Sequence, residues 1–173
     1  LRLDLNVPLD KGKITDTTRI DKILPTLNFL LKEKAKIIIL SHVGRPKGKI
    51  VKELSLEPIR EELQKKLNMS VKLLTENIKE IKNKNFFDKY NEEILILENI
   101  RFYSEEENND SNFAKHLSCL GDIYINDAFS CAHRKQTSIH KITKHIKNSY
   151  AGPLFMREIH SINMVLNSKK KPT

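Results

Sequence analysis

The chain has 173 residues, enough for one domain with a proper core, and carries 31 Lys plus Arg against 22 Asp plus Glu, a formal net charge of +9. That balance points to an anionic partner: nucleic acid, acidic lipid or a phosphorylated metabolite. Cys119 and Cys131 make no Cys-x-x-Cys pair and no disulfide framework, no apolar run reaches transmembrane length, and the opening residues carry no signal-peptide pattern, so a reduced, cytoplasmic setting without membrane attachment is expected.

Residues 1–7 read as a strand carrying Asp4 and Asn6, and residues 10–13 as a turn. Residues 14–24 are ambiguous because Pro25 interrupts them; proline suits the first helical position, so the main helix is expected to begin near Pro25, with Leu27, Leu30 and Leu31 on one face. A strand over 36–40 runs into Ser41, His42 and Arg45, followed by a Gly/Pro loop over 43–52. Ser55 is placed as an N-cap for a helix with Leu56, Ile59, Leu63 and Leu67 at helical spacing. Residues 71–74 form a short strand, 76–91 a polar, weakly helical stretch, and 94–97 a continuous apolar strand of the kind expected when both sheet faces are covered. Asp110 or Ser111 caps a helix that turns Phe113, Leu117 and Leu120 inward and stops at Gly121. A strand over 123–125 leads into Asn126 and Asp127, which read either as turn caps or as site groups, and then to Arg134; an amphipathic helix from Met156 to Leu166 leads into the Lys-rich residues 168–173, which look like a linker.

Strands alternating with helices indicate a parallel sheet with helices on both faces, a Rossmann-like three-layer α/β sandwich. In such a sheet, ligands bind outside the carboxyl ends of the strands. Here those ends deliver Asp4, Asn6, His42, Arg45, Arg101 and Arg134 to one edge, with Arg19 at the start of the next segment. A set of fixed guanidinium forks beside a histidine and amide groups suits a small, highly charged anion. Absent motifs narrow the chemistry: no Gly-x-Gly-x-x-Gly, no Walker A loop, no Gly-x-Ser-x-Gly elbow, and no spacing of the six histidines with the cysteines that fits a zinc site. The aromatics are few and do not alternate with basic residues, which weighs against a stand-alone basic module for nucleic acid, the alternative reading of the charge.

Five segments carry a family resemblance: Arg2-Leu3-Asp4-Leu5-Asn6-Val7-Pro8, Thr17-Thr18-Arg19-Ile20, Ser41-His42-Val43-Gly44-Arg45-Pro46-Lys47-Gly48, Leu97-Glu98-Asn99-Ile100-Arg101-Phe102, and Asn126-Asp127-Ala128-Phe129 with Ala132-His133-Arg134. In order and spacing they resemble the signatures of the phosphoglycerate kinase family. The resemblance implies that residues 1–155 are the N-terminal, acceptor-substrate domain, truncated at its start, and that 156–173 form the interdomain helix and linker. It implies that the C-terminal domain, which binds Mg-ATP or Mg-ADP, is missing, leaving no cofactor or metal site in this chain. Arg45, Arg101, Arg134 and His42 would hold the phosphate end and body of 3-phosphoglycerate, Asp4 and Asn6 its hydroxyl and carboxyl end, and Arg19 would face the phosphoryl group in flight. The complete protein would be a glycolytic kinase exchanging a phosphoryl group between 1,3-bisphosphoglycerate and ADP, cytoplasmic and monomeric, with no nucleic-acid or membrane partner. One departure stands out: Ser130-Cys131 occupies a position where the family commonly has Gly-Thr, so a positive φ at Ser130 would strain the loop.

Overall fold

The computed structural model describes residues 1–167; the linker reading for 168–173 lies outside the described residues. In chain order the elements are β1 (Arg2–Leu3), a small hairpin of β2 (Leu9–Asp10) and β3 (Lys13–Ile14), α1 (Thr18–Lys32), β4 (Ile37–Ile39), α2 (Glu57–Leu67), β5 (Val71–Leu74), β6 (Ile94–Leu97), α3 (Ser104–Glu107), α4 (Ser111–Ser118), β7 (Tyr124–Asp127), β8 (Ser149–Ala151) and α5 (Pro153–Asn167). Strands β5, β6 and β4 pair in parallel in that order, as do β1, β7 and β8. The two groups join where Leu40 meets β1: Leu3 N–H donates to the Leu40 carbonyl at 3.0 Å, and Leu40 N–H to the Leu1 carbonyl at 2.9 Å. The outcome is one parallel sheet, order β5-β6-β4-β1-β7-β8.

Alternation along the strands builds two cores. Leu3, Ile37, Ile39, Val71, Leu73, Ile94 and Ile96 face α1 and α2, meeting Ile20, Ile23, Leu27, Ile59 and Leu63. Leu40, Leu74, Leu95 and Leu97 face the other way, against Phe113, Leu117 and Leu120 beyond and within α4 and against Ile142 and Ile146. Every residue of β6 is buried, because helices cover both sides of it. This is the expected three-layer α/β sandwich.

Several boundaries differ from the sequence reading. The first long helix starts at Thr18, not near Pro25, and Pro25 lies inside it. Asp16 accepts from the Thr18 N–H at 2.7 Å and opens the helix, and the buried stripe of Ile20, Ile23 and Leu27 runs straight through the proline. Packing along that stripe outweighs the one backbone bond proline cannot make. The expected turn at 10–13 is the tip of the β2–β3 hairpin. The weakly helical stretch resolves into short 3₁₀ turns, Ile78–Glu80 and Lys84–Lys89, that bury Ile78, Phe86 and Phe87. The N-cap of α2 is Leu56, one residue after the expected Ser55, whose hydroxyl still accepts from the Glu57 N–H at 3.2 Å. Asp110 is the cap of α4, accepting from the Phe113 N–H at 2.7 Å. That helix ends at Ser118, before Gly121. Strand β7 begins one residue later than expected and leaves Ile123 exposed. Edge strand β8 and the helical turns Thr137–Lys141 and Ile142–Lys144 were not apparent from pattern. The final helix begins at Pro153, and no helix among the described residues is long and apolar enough to cross a membrane.

Candidate functional site

The carboxyl ends of β1, β4, β6 and β7 converge, and side-chain bonds fix their relative heights. Ser41, just past β4, donates its hydroxyl to the Leu3 carbonyl at 2.9 Å and accepts from the Leu5 N–H at 3.1 Å. Past β6, the Asn99 amide donates to the carbonyls of Val43 and Leu54, each at 2.8 Å, and Glu98 accepts from the Leu56 N–H and the Ser55 hydroxyl at 2.8 and 2.7 Å. Glu98 and Asn99 therefore build the loop that presents the site. At the end of β7, the Asp127 carboxylate accepts from the Phe155 N–H at 2.9 Å at the start of α5, and Asn126 accepts from the Ala128 N–H at 3.0 Å. Both residues act as caps, one of the two readings open to the sequence. Gly152 makes this possible: a Cβ there would stand 2.4 Å from the Asp127 carboxyl.

Arg101 is buried. Its Nη1 donates to the Gly44 carbonyl at 2.9 Å, while its Nε has no partner. Burial, then the guanidiniums of Arg134 and Arg2, pull its pKa down, while Cys131 pushes the other way. His42 is buried beside the same group, and its pKa falls to about 2: desolvation is the main cause, followed by the charges of Arg2, Arg101, Arg134 and Arg19. The structure thus brings Arg19, His42, Arg101 and Arg134 into one electrostatic neighbourhood. Arg45 is exposed on its loop, and its charge is not among those acting on His42.

Asp4 is an internal partner as well as a wall of the site. Its carboxylate accepts from Arg19, from the Ser130 hydroxyl and from the Asn6 N–H, the last at 3.2 Å. Asn6 accepts from the Gly44 N–H at 2.9 Å and so pins the loop after β4 to the end of β1. Ser130 lies in the short 3₁₀ turn Phe129–Cys131 and is not among the residues with positive φ, so the departure from Gly-Thr brings no backbone strain; it supplies a hydroxyl to Asp4 instead. Both cysteines are free, Cys119 exposed and Cys131 buried.

The fold also gathers Asp4, His42 and Cys131 to within 4.8 Å of one another, a grouping no sequence spacing reveals. Four guanidiniums around them favour an anion over a cation. Sequence reasoning missed Arg2 as a site component. Its side chain lies fully buried against His42, donating to Ser138 Oγ at 3.0 Å and to His42 Nδ1 at 2.9 Å. The available signal was a charged residue inside an apolar strand, a combination that is stable only with buried partners.

The family profile described as phosphoglycerate kinase matches residues 1–173. Among curated relatives, the phosphoglycerate kinase of Orientia tsutsugamushi (strain Ikeda) is 44% identical over 172 residues, and that of Wolbachia pipientis subsp. Culex pipiens (strain wPip) is 45% identical over 172 residues. Each match takes in 99% of this chain but only 42% and 43% of the relative, so the chain spans about two-fifths of the length of the curated relatives it matches. Among solved structures, phosphoglycerate kinase from Coxiella burnetii superposes with a TM-score of 0.86 at 39% identity, covering 99% of this chain and 42% of that one. Phosphoglycerate kinase from Pyrococcus horikoshii OT3 gives 0.85 at 30%, covering 99% and 44%.

Proposed function

The chain belongs to the phosphoglycerate kinase family, and from that premise we propose that it is the acceptor-substrate half of such an enzyme, residues 1–155 forming the 3-phosphoglycerate-binding domain and the segment from 156 leading toward a nucleotide-binding half. The observation that carries this reading is Arg101: a buried guanidinium whose Nε lacks a partner, set beside His42 and Arg134 where strands end. Guanidiniums gathered this closely repel one another, and an anion beside Arg101 and Arg134 offsets that charge. A phosphate carries about −1.5 to −2 charge near neutrality, and 3-phosphoglycerate adds a carboxylate. Arg101, Arg134 and His42 hold the phosphate in this reading, with Arg45 closing from its exposed loop. Asn6 and Asp4 face the hydroxyl and carboxyl end.

The reaction is phosphoryl exchange between 1,3-bisphosphoglycerate and ADP, a glycolytic step carried out in the cytoplasm by a single chain. The acceptor is already an ionised carboxylate at neutral pH, so no general base is required. Catalysis then rests on positioning and charge neutralisation. Arg19 is placed for the second task. It is half-exposed and held back by Asp4, and it turns to the transferring group when the two halves close around their substrates. We place the nucleotide and Mg²⁺ elsewhere because the sequence carries no glycine-rich phosphate cradle and the Asp4 carboxylate is already paired with Arg19. Both belong to the other half.

Titration calorimetry of this chain with 3-phosphoglycerate and with ATP, separately, tests the proposal. Binding of the first and not the second is expected. Binding of ATP without 3-phosphoglycerate overturns it.

A further inference from the structure

The side chain of Arg2 offers only donors, and arginine does not lose its charge in proteins. Where Arg2 Nη2 meets His42 Nδ1 at 2.9 Å, the imidazole nitrogen must accept. A neutral imidazole that accepts at Nδ1 carries its proton on Nε2. Among the described residues Nε2 has no hydrogen-bond partner, yet it is not among the sealed, unpartnered buried atoms. It is left free to donate, and Arg101 and Arg134 are among the charges nearest the ring.

The guanidinium is itself held from three further directions. Ser138 Oγ accepts from Nε at 3.0 Å, the Leu3 carbonyl accepts from Nη1, and the Leu40 carbonyl lies 3.5 Å from that nitrogen. Behind Ser138, the buried Glu106 accepts from the Ser138 N–H at 2.8 Å and from its hydroxyl at 2.6 Å, and the charge of Arg2 acts on its carboxyl against the effect of burial. A chain Glu106–Ser138–Arg2–His42 thus runs from the far core to the pocket wall with little freedom at any link.

We infer that Arg2 is a positioning residue that fixes His42 as a neutral Nε2–H donor, so that the pocket grips its anion with one uncharged hydrogen bond among fixed cations. This rests on the anion-binding role proposed above. The charges facing His42 are Arg2 from β1, Arg19 from α1, and Arg101 and Arg134 from the loops after β6 and β7, with Asp4 and the Cys131 thiol as the other ionisable neighbours. A further positive charge among four guanidiniums is unfavourable, whereas a neutral donor adds a directed bond without added repulsion. It also keeps the donor available across the whole physiological pH range.

Imidazole ¹H–¹⁵N correlation spectra of the ¹⁵N-labelled chain test this directly, without ligand or mutation. The expected result is an Nε2–H tautomer with Nδ1 unprotonated, unchanged from pH 7.5 down to about pH 4, where an ordinary histidine is fully charged. An Nδ1–H tautomer, or an imidazolium forming near pH 6.5, overturns the inference. In the Arg2→Gln variant, whose amide can donate or accept, the tautomer is no longer imposed and His42 is expected to titrate closer to an ordinary histidine. The double variant Arg2→Gln/Glu106→Gln repeats this without leaving a buried carboxylate unpaired, and a rigid Nε2–H tautomer in both variants overturns the role of Arg2. Addition of 3-phosphoglycerate to the wild-type chain should move the Nε2–H resonance. If the ligand binds by calorimetry and this resonance stays put, the donor role is wrong. If the tautomer is as expected and no ligand binds at all, the assignment of the tautomer stands and the acceptor-substrate reading falls.

Discussion

Two kinds of arginine stand at this site, and they should fail differently. Arg19 is half-exposed and bonded to Asp4, so it costs the free protein little to let it go. A group that meets its target only in the transition state lowers kcat when removed, whereas uniform binding shows in KM. In a protein carrying the nucleotide-binding half, Arg19→Ala should lower kcat by about 10³-fold, the smaller end of what an arginine finger contributes, with a modest change in KM. Arg45→Ala should chiefly raise KM for 3-phosphoglycerate. Steady-state kinetics separate the two, and a near-normal kcat for Arg19→Ala would refute its role. His42 carries a stability signature. Its pKa is about 2 in the folded state against about 6.5 unfolded, so below pH 6.5 the unfolded chain binds the extra proton. Stability contributed by the neutral His42 is full above pH 6.5 and is lost as pH falls toward 2, by at most about 1.4 kcal/mol per pH unit. Glu106 acts in the opposite sense, since burial raises its pKa and acid favours its folded form. Urea unfolding at pH 7.5, 6.0 and 5.0 should therefore show a shallower acid slope for His42→Gln than for the wild type; equal slopes would mean that His42 is not buried neutral.

At the scale of elements, the junction of β7, β8 and α5 turns on one close approach. Asp127 caps α5 at Phe155 and also accepts from the Thr26 hydroxyl of α1 at 3.2 Å. A Cβ on Gly152 would enter that carboxylate. Gly152→Ala should cost about 1–3 kcal/mol, as overpacking commonly does, measured by chemical denaturation; an unchanged midpoint would show that Asp127 is free to move. This junction was also where the sequence was least legible. Strands β5 and β6 were readable because runs of apolar β-branched and Leu residues leave few alternatives. Strand β8 was not, because a three-residue edge strand with an exposed Tyr150 carries no pattern. The turns of Thr137–Lys141 are held by Thr137 and Ser138 bonding to Glu105 and Glu106, long-range contacts that leave no periodic trace. Pro25 misplaced a boundary because propensity is a local preference and the buried stripe of α1 is not. The gathering of polar groups at the strand ends was easier to read. Asp4, Asn6, His42, Arg101 and Arg134 follow strands, and the sheet itself collects them. The part that stayed hidden, Arg2 beneath His42, depends on which side of a strand a long side chain folds under.

For the whole molecule, the strand order β5-β6-β4-β1-β7-β8 places the first strand at the middle, with Arg2 opposite Asn126 and Leu3 opposite Asp127. Helices and the β4–β6–β5 group join residues closer in sequence, but the central seam must wait for the far end of the chain. Pairings of high sequence separation close late because the loop entropy falls due before the contact is made. Competence to bind should therefore lag behind secondary structure. In stopped-flow refolding from urea, far-ultraviolet circular dichroism should recover ahead of the ability to capture 3-phosphoglycerate; simultaneous recovery would mean that the seam forms with the first collapse. During synthesis the same arrangement has a sharper consequence. A nascent chain already displaying Asp4, His42 and Arg101 outside the ribosome still has β1 without its β7 neighbour and lacks Arg134, so on the proposed function the growing polypeptide should not sequester a phosphorylated metabolite until Arg134 and β7 have been translated.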